Sequence, residues 1–265
     1  MWIEPVQTAQ LVRNVRMHLS QGDWFWRESG NGSQAVACLH GLEQDSGQWQ
    51  ALLECLGRSC HCVAPDLPGV GESARSRVDS LAGLIAGVDE WLDALRIDRL
   101  WLTGYDLGAW LAISYALQRP QRVLGIVLMA PEAVLTLPVP RQPWPWMPAR
   151  RQPNRSAQGH PLLTRANRSP RSPQRSSLAA VRSDILQIES WSDLACPVWT
   201  LRSVTDAADR RSTLNGPHAD WLANTRQAFV PVEGDQWLQD APATVAEAIE
   251  RMIANPRSPL LQLDR

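Results

Sequence analysis

No run of apolar residues in this 265-residue chain approaches the ~20 that a membrane-spanning helix requires. Residues 1–20 carry polar residues throughout and lack the apolar stretch of a secretory signal. A cytoplasmic location is therefore expected, with no membrane association and with reduced cysteines. The five cysteines, Cys38, Cys55, Cys60, Cys62 and Cys196, include no CxxC pair, so neither a disulfide framework nor a zinc site is indicated. Cys60-His61-Cys62 has the residue types of a ligand set. It lies, however, in a short apolar stretch, 60–64, that reads as a buried strand where cysteine acts as a small hydrophobe. Lysine is absent altogether, so every permanent positive charge belongs to an arginine.

What is present describes a globular protein. Hydrophobic residues make up 44% of the chain, enough for a well-buried core of α/β size. The net charge of −1 hides an asymmetry. Residues 133–183 hold nine arginines and no Asp or Glu, leaving 17 arginines against 27 acids elsewhere. A basic stretch of this kind either folds back onto the acidic body or attracts an anionic partner, and fold-back is the simpler reading. It lacks the aromatic interleaving of a nucleic-acid module, so no nucleic-acid partner is expected.

Hydrophobic patterning predicts strands over 15–19 and 24–29, joined by a turn containing Gly22, then strands at 34–39 and 60–64. Asp45-Ser46-Gly47 opens a helix reaching Leu56, and Ser80 caps another running to Leu95. A strand at 100–103, a sharp turn, a helix at 107–118 and an apolar strand at 123–129 follow. Alternation of this kind predicts a mostly parallel sheet flanked by helices. The rhythm breaks at Pro131, where Pro-Trp-Pro-Trp at 143–146 and the Arg-Ser-Pro repeat at 168–173 mark an irregular excursion. Helices at 178–189, 218–225 and 243–253 and strands at 198–201 and 228–232 complete the reading. Residues 1–265 thus form one domain, interrupted by a lid-like insertion at 131–195.

Three motifs fall in order on this layout. They are His40-Gly41 after the third strand, Pro65-Asp66-Leu67-Pro68-Gly69-Val70-Gly71-Glu72-Ser73 after the fourth, and Gly104-Tyr105-Asp106-Leu107-Gly108 between a strand and a helix. Together they resemble the α/β-hydrolase superfamily over the whole chain apart from the excursion. The resemblance implies the α/β-hydrolase fold, with a nucleophile elbow at Asp106 whose central side chain is held exposed on a strained turn. It also implies backbone oxyanion donors at Leu42 and Leu107.

Most of the superfamily carries Ser where this chain has Asp106. Carboxylate attack on an ester would give a reactive anhydride, whereas attack on a saturated carbon gives an ordinary ester. Asp106 therefore resembles the epoxide hydrolase and haloalkane dehalogenase branch, acting on a small organic substrate. The chain departs from both groups: its only tyrosines are Tyr105 and Tyr115, and Leu107 replaces the Trp that typically follows a dehalogenase nucleophile. Trp144 and Trp146 are indole donors that fit either leaving-group assistance or lid packing. Equally open is a purely structural Asp106, capping the helix behind it.

The resemblance places the triad acid at Asp206, after the strand at 198–201. In Glu233-Gly234-Asp235-Gln236-Trp237-Leu238-Gln239 it places Gln236 where the basic histidine belongs. Glutamine undergoes no protonation change near neutrality and cannot act as a base. His218 falls on an expected helix and His40 in a structural turn, so neither replaces it. Two carboxylates facing one pocket could serve as an acid–base pair, but two are too few for a metal. No cofactor or metal is implied. Two functions stand: a hydrolase using Asp106 on a small molecule, or a catalytically impaired relative that keeps the fold to bind a ligand or protein.

Overall fold

The computed structural model describes residues 10–42, 44–73, 78, 80–131, 184, 193–203, 225–231, 237–258 and 260–262. Its strands are β1 (Val12–Leu19), β2 (Gly22–Ser29), β3 (Ala35–Leu39), β4 (His61–Pro65), β5 (Leu100–Tyr105), β6 (Val123–Met129), β7 (Val198–Ser203), β8 (Arg226–Val230) and β9 (Leu260–Gln262). Among the described residues the helices are α1 (Gln50–Leu56), α2 (Leu81–Ala94), α3 (Leu107–Gln118), α4 (Trp237–Asp240) and α5 (Pro242–Ala254).

The nine strands form one sheet in the order β1-β2-β4-β3-β5-β6-β7-β8-β9. β1 and β2 make an antiparallel hairpin, β2 joins β4 antiparallel, and every pairing from β4 to β9 is parallel. Parallel strands buried on both faces need continuous apolar sequence, and β3, β5 and β6 supply it. Parallel pairing also gathers the carboxyl ends of β3, β5, β6, β7 and β8 on one edge, where sites form in open α/β sheets.

Helices α2 and α3 cover one face. α2 turns Leu81, Leu84, Ile85, Val88, Trp91 and Leu92 inward at three- and four-residue spacing, and Ser80 caps it by accepting from the Gly83 N–H. Trp91 stacks on Trp24 of β2 at 5.9 Å. α3 is buried continuously from Leu107 to Ala116, as an apolar helix at the centre of a core must be. Asp89 of α2 clamps the pair, accepting from the Tyr115 hydroxyl and Arg119 Nε at 2.6 Å each and from Arg122 Nη1 at 3.3 Å. The other face packs Trp49, Leu52, Leu53 and Leu56 against Val245, Ile249 and Met252 of α5.

The expected parallel, helix-flanked sheet is the one observed, with shifted boundaries. The helix expected from Asp45 begins as a 3-10 turn over Ser46–Trp49, with Asp45 accepting from the Gly47 N–H at 2.7 Å. β8 starts two residues before its expected position, because Arg226 and Gln227 pair with Trp199 and Thr200 through the backbone, which needs no apolar side chain. The edge strand β9 was not foreseen. The helix expected at 218–225 and most of that at 178–189 lie outside the described residues, as does nearly all of the 131–195 insertion. Among the described residues no helix is long and apolar enough to cross a membrane.

Candidate active site

β5 ends at Tyr105 and α3 begins at Leu107, so one residue, Asp106, makes the whole reversal. That residue has φ 52° and ψ −115°, a conformation L residues rarely adopt. Such strain persists only where the surroundings over-determine it. Here the Asp106 N–H donates to the Met129 carbonyl of β6 at 3.0 Å, and its own carbonyl accepts from the Ala109 N–H at 3.1 Å. The glycines on either side admit the close approach. A Cβ on Gly104 would lie 2.3 Å from the Gly108 carbonyl oxygen, and one on Gly108 would lie 2.0 Å from that of Leu39.

The capping role expected of Asp106 is not the one its side chain takes. The side chain makes no capping bond to α3. Its Oδ2 instead accepts from the Leu42 N–H, 3.0 Å away in the turn after β3. Asp106 and Leu42 are both half-buried, while Leu107, at the first position of α3, is fully buried. The structure therefore brings together Asp106 and Leu42, with Leu107 next along the chain as the first residue of α3. Asp206 and Gln236 lie outside the described residues, as do Trp144, Trp146 and His218. The chain leaves β7 at Ser203 and β8 at Val230 on the same sheet edge as Asp106.

The turn carrying Leu42 is held by His40, which is fully buried. Its Nε2 accepts from the Leu67 N–H at 2.9 Å, and its Nδ1 donates to the Gly41 carbonyl at 2.7 Å. Acceptance at Nε2 requires the neutral ring, whereas donation from Nδ1 does not. Burial lowers the His40 pKa below its ordinary 6.5, outweighing the Gly41 bond and the nearby Asp66 and Asp45 charges that raise it. His40 is thus a structural residue, as its position in the turn implied. The sign for stability follows: above pH 6.5 the ring is neutral in both states, and below it the unfolded chain takes up a proton that the folded chain resists. The urea midpoint is expected to fall as pH drops from 7.5 toward 5, at up to ~1.4 kcal/mol per pH unit from this ring. His40→Gln should flatten that slope.

The Asp66-to-Ser73 string forms the neighbouring support. The buried Asp66 carboxylate accepts from the Ser46 N–H at 2.7 Å and the Glu72 N–H at 2.8 Å. Gly71 sits at φ +50°, and a Cβ there would lie 2.1 Å from Asp66 Oδ2. Ser73 closes the string by accepting from the Phe25 N–H at 2.9 Å. Gly69 at φ 87° donates its N–H to the Ser73 carbonyl at 3.0 Å, so each named residue of Asp-x-x-Gly-x-Gly-x-Ser has a steric or hydrogen-bonding task. Tyr115 is committed to Asp89 and carries a pKa raised first by burial and then by that bond. Sequence reasoning missed one further support: Trp110 Nε1 donates to the Pro131 carbonyl at 2.6 Å, just beyond Ala130 at φ 44°. A bond to a backbone carbonyl leaves no sequence signature.

A parallel sheet with a strained acidic elbow and a backbone donor facing it defines a hydrolase-type scaffold. The chain belongs to the alpha/beta hydrolase fold family, whose model matches residues 34–200. It is 32% identical over 124 residues to a 1-acylglycerol-3-phosphate O-acyltransferase, ABHD5, of Rattus norvegicus, covering 43% of this chain and 35% of that protein. It is 32% identical over 127 residues to a haloalkane dehalogenase of Mesorhizobium japonicum, covering 48% and 40%. The chain spans less than half the length of these relatives. Among solved structures, a haloalkane dehalogenase loop variant from Bradyrhizobium elkanii superposes with a TM-score of 0.62 at 19% identity, over 92% of this chain and 97% of that one. An epoxide hydrolase from Vigna radiata gives 0.61 at 15%, over 92% and 98%. At these identities the structures establish the fold.

Proposed function

We propose that this chain uses Asp106 as a carboxylate nucleophile on a saturated carbon of a small organic molecule, an epoxide or an alkyl halide. The observation that carries the reading is the Leu42 N–H, 3.0 Å from Asp106 Oδ2 on a strained elbow with no helix-capping bond. With Oδ2 engaged, attack falls to Oδ1. The carbon–oxygen bond forms there as the carbon–halogen or epoxide carbon–oxygen bond breaks. Oδ2 then becomes the ester carbonyl oxygen, already beside a backbone donor of the kind that stabilises developing negative charge. Asp206 and Gln236 complete the proposed set. Gln236 cannot deprotonate water, so the ester on Asp106 is long-lived.

The test is intact-protein mass after incubation with a panel of epoxides and alkyl halides, beside Asp106→Ala. The expected result is a mass increase equal to the whole epoxide, or to the alkyl group of the halide less one hydrogen, absent from the Ala variant. A second reading rests on the same Gln236: a relative that has lost turnover and keeps the scaffold to bind a ligand or protein. An unchanged mass across the panel, with both proteins folded, would favour it over the nucleophile.

A further inference from the structure

We propose that the Gln48 carboxamide is the leaving-group donor of the Asp106 reaction, its Nε2 receiving the departing halide, so that the substrate is an alkyl halide rather than an epoxide. The inference rests on the reading of Asp106 as a nucleophile. Gln48 lies on the 3-10 turn Ser46–Trp49, which follows the carboxyl end of β3. The turn is fixed from several sides. The Ser46 N–H donates to Asp66 at 2.7 Å, the Gln48 N–H donates to the Asp45 carbonyl at 3.1 Å, and Trp49 is buried among α1 and α5. Three residues per turn bury Ser46 and Trp49 on one side and leave Gln48 half-buried on another. From there Gln48 Oε1 accepts from the Gly41 N–H at 3.4 Å. Gly41 itself is packed on the nucleophile: a Cβ there would lie 3.2 Å from both Cβ and Oδ2 of Asp106. The carboxamide is thus held one hydrogen bond away from that contact, beside the Leu42 N–H that engages Oδ2.

A backbone N–H facing a carboxamide takes its oxygen, which leaves the amide nitrogen as the outward end. Nε2 carries two N–H donors, and among the described residues Gln48 gives neither of them to an acceptor. Other side-chain donors around the elbow are committed. Trp110 Nε1 donates to the Pro131 carbonyl at 2.6 Å, the Tyr115 hydroxyl to Asp89 at 2.6 Å, and His40 Nδ1 to the Gly41 carbonyl at 2.7 Å. Leu107, directly after Asp106, has no side-chain donor. Of these groups, Gln48 Nε2 is the one with donors left to give.

The chemistry of a carboxamide selects the substrate. As the bond from Asp106 Oδ1 to carbon forms, the carbon–halogen bond breaks and its electron pair leaves with the halide. No proton moves, and neutral N–H donors suffice to stabilise the charge that grows on the halogen. An opening epoxide makes a different demand. Its oxygen leaves as an alkoxide, a strong base that must take a proton, and a carboxamide has none to give near neutrality.

Gln48→Glu separates donation from support, because the new carboxylate still accepts from the Gly41 N–H while presenting an anion in place of the donor. Formation of the Asp106 adduct from butyl chloride, bromide and iodide is followed by intact mass in both proteins. The variant should lose about 10²-fold with the chloride, the poorest leaving group, and progressively less with the bromide and iodide. Slowing of all three by one factor would make Gln48 a structural support and overturn the proposal. A second measurement needs no alkylation. Asp106→Asn places a neutral amide where the ester would stand, and its binding of chloride is read from the chloride NMR line width. Broadening should saturate, and should be lost when Gln48→Glu is added. Equal broadening with and without Gln48→Glu would also overturn the proposal. If the wild type forms no adduct with any of the three halides, the nucleophile reading fails, and the chloride titration alone decides the donor.

Discussion

Gln236→His is expected to turn a protein that accumulates ester on Asp106 into one that releases alcohol and starts again. The substitution supplies a group that titrates near neutral pH at the position where the resemblance places the base. A positioned general base contributes ~10²–10⁴-fold. The adduct seen by mass should form at a similar rate in both proteins, because alkylation requires only Asp106. Its lifetime should fall by about that factor in the histidine variant, read as decay of the adduct after substrate is removed. Asp206→Asn in the Gln236→His background should lengthen the lifetime again, since the resemblance places the triad acid at Asp206. An adduct equally long-lived in both proteins would show that the 233–239 turn is not where the base belongs. Substrate identity is unaffected by that outcome, which keeps it distinct from failure of the nucleophile.

Gly108→Ala is expected to cost about 4 kcal/mol or more, a loss reserved for substitutions with a specific steric cause. The added Cβ would sit 2.0 Å from the Leu39 carbonyl oxygen and 2.7 Å from that of His40. Both are backbone atoms at the carboxyl end of β3, and no rotamer relieves the contact. The helix must move away from the strand, carrying Asp106 from Leu42 and opening the buried stretch from Leu107 to Ala116. Urea unfolding followed by tryptophan fluorescence reports the change. Ala109→Gly, one residue on, serves as the comparison: it removes a methyl from the same helix without a clash and should cost far less. Similar losses in the two variants would mean that the helix tolerates displacement from the strand.

The sheet was legible because its central strands carry their signal in themselves. The β6 sequence Val-Leu-Gly-Ile-Val-Leu-Met has no polar face to offer, which fits only a strand covered on both sides. The elbow was legible through the spacing of Gly104 and Gly108, and the close backbone approach at each explains why that spacing matters. The side-chain partner of Asp106 was not legible. Aspartate is an equally good helix cap, and it is a backbone angle that aims the carboxylate toward Leu42 instead. The partner of Asp66 was hidden as well, since Ser46 is twenty residues upstream and contributes only its N–H. β9 escaped because three residues between prolines and a chain end carry too little pattern to register. Asp206 and Gln236 remain readings of sequence order alone.

Trp110 lines no part of the proposed reaction, yet its indole fastens the elbow helix α3 to Pro131, where the chain departs from the sheet, through a donor set one turn behind Asp106. Far along the same segment, the Asp184 carboxylate takes the Leu81 N–H at the head of α2, the helix clamped to α3 through Asp89. Pro131 and Asp184, the described residues that flank the arginine-rich stretch, are thus both tied to the α2–α3 pair that carries the elbow.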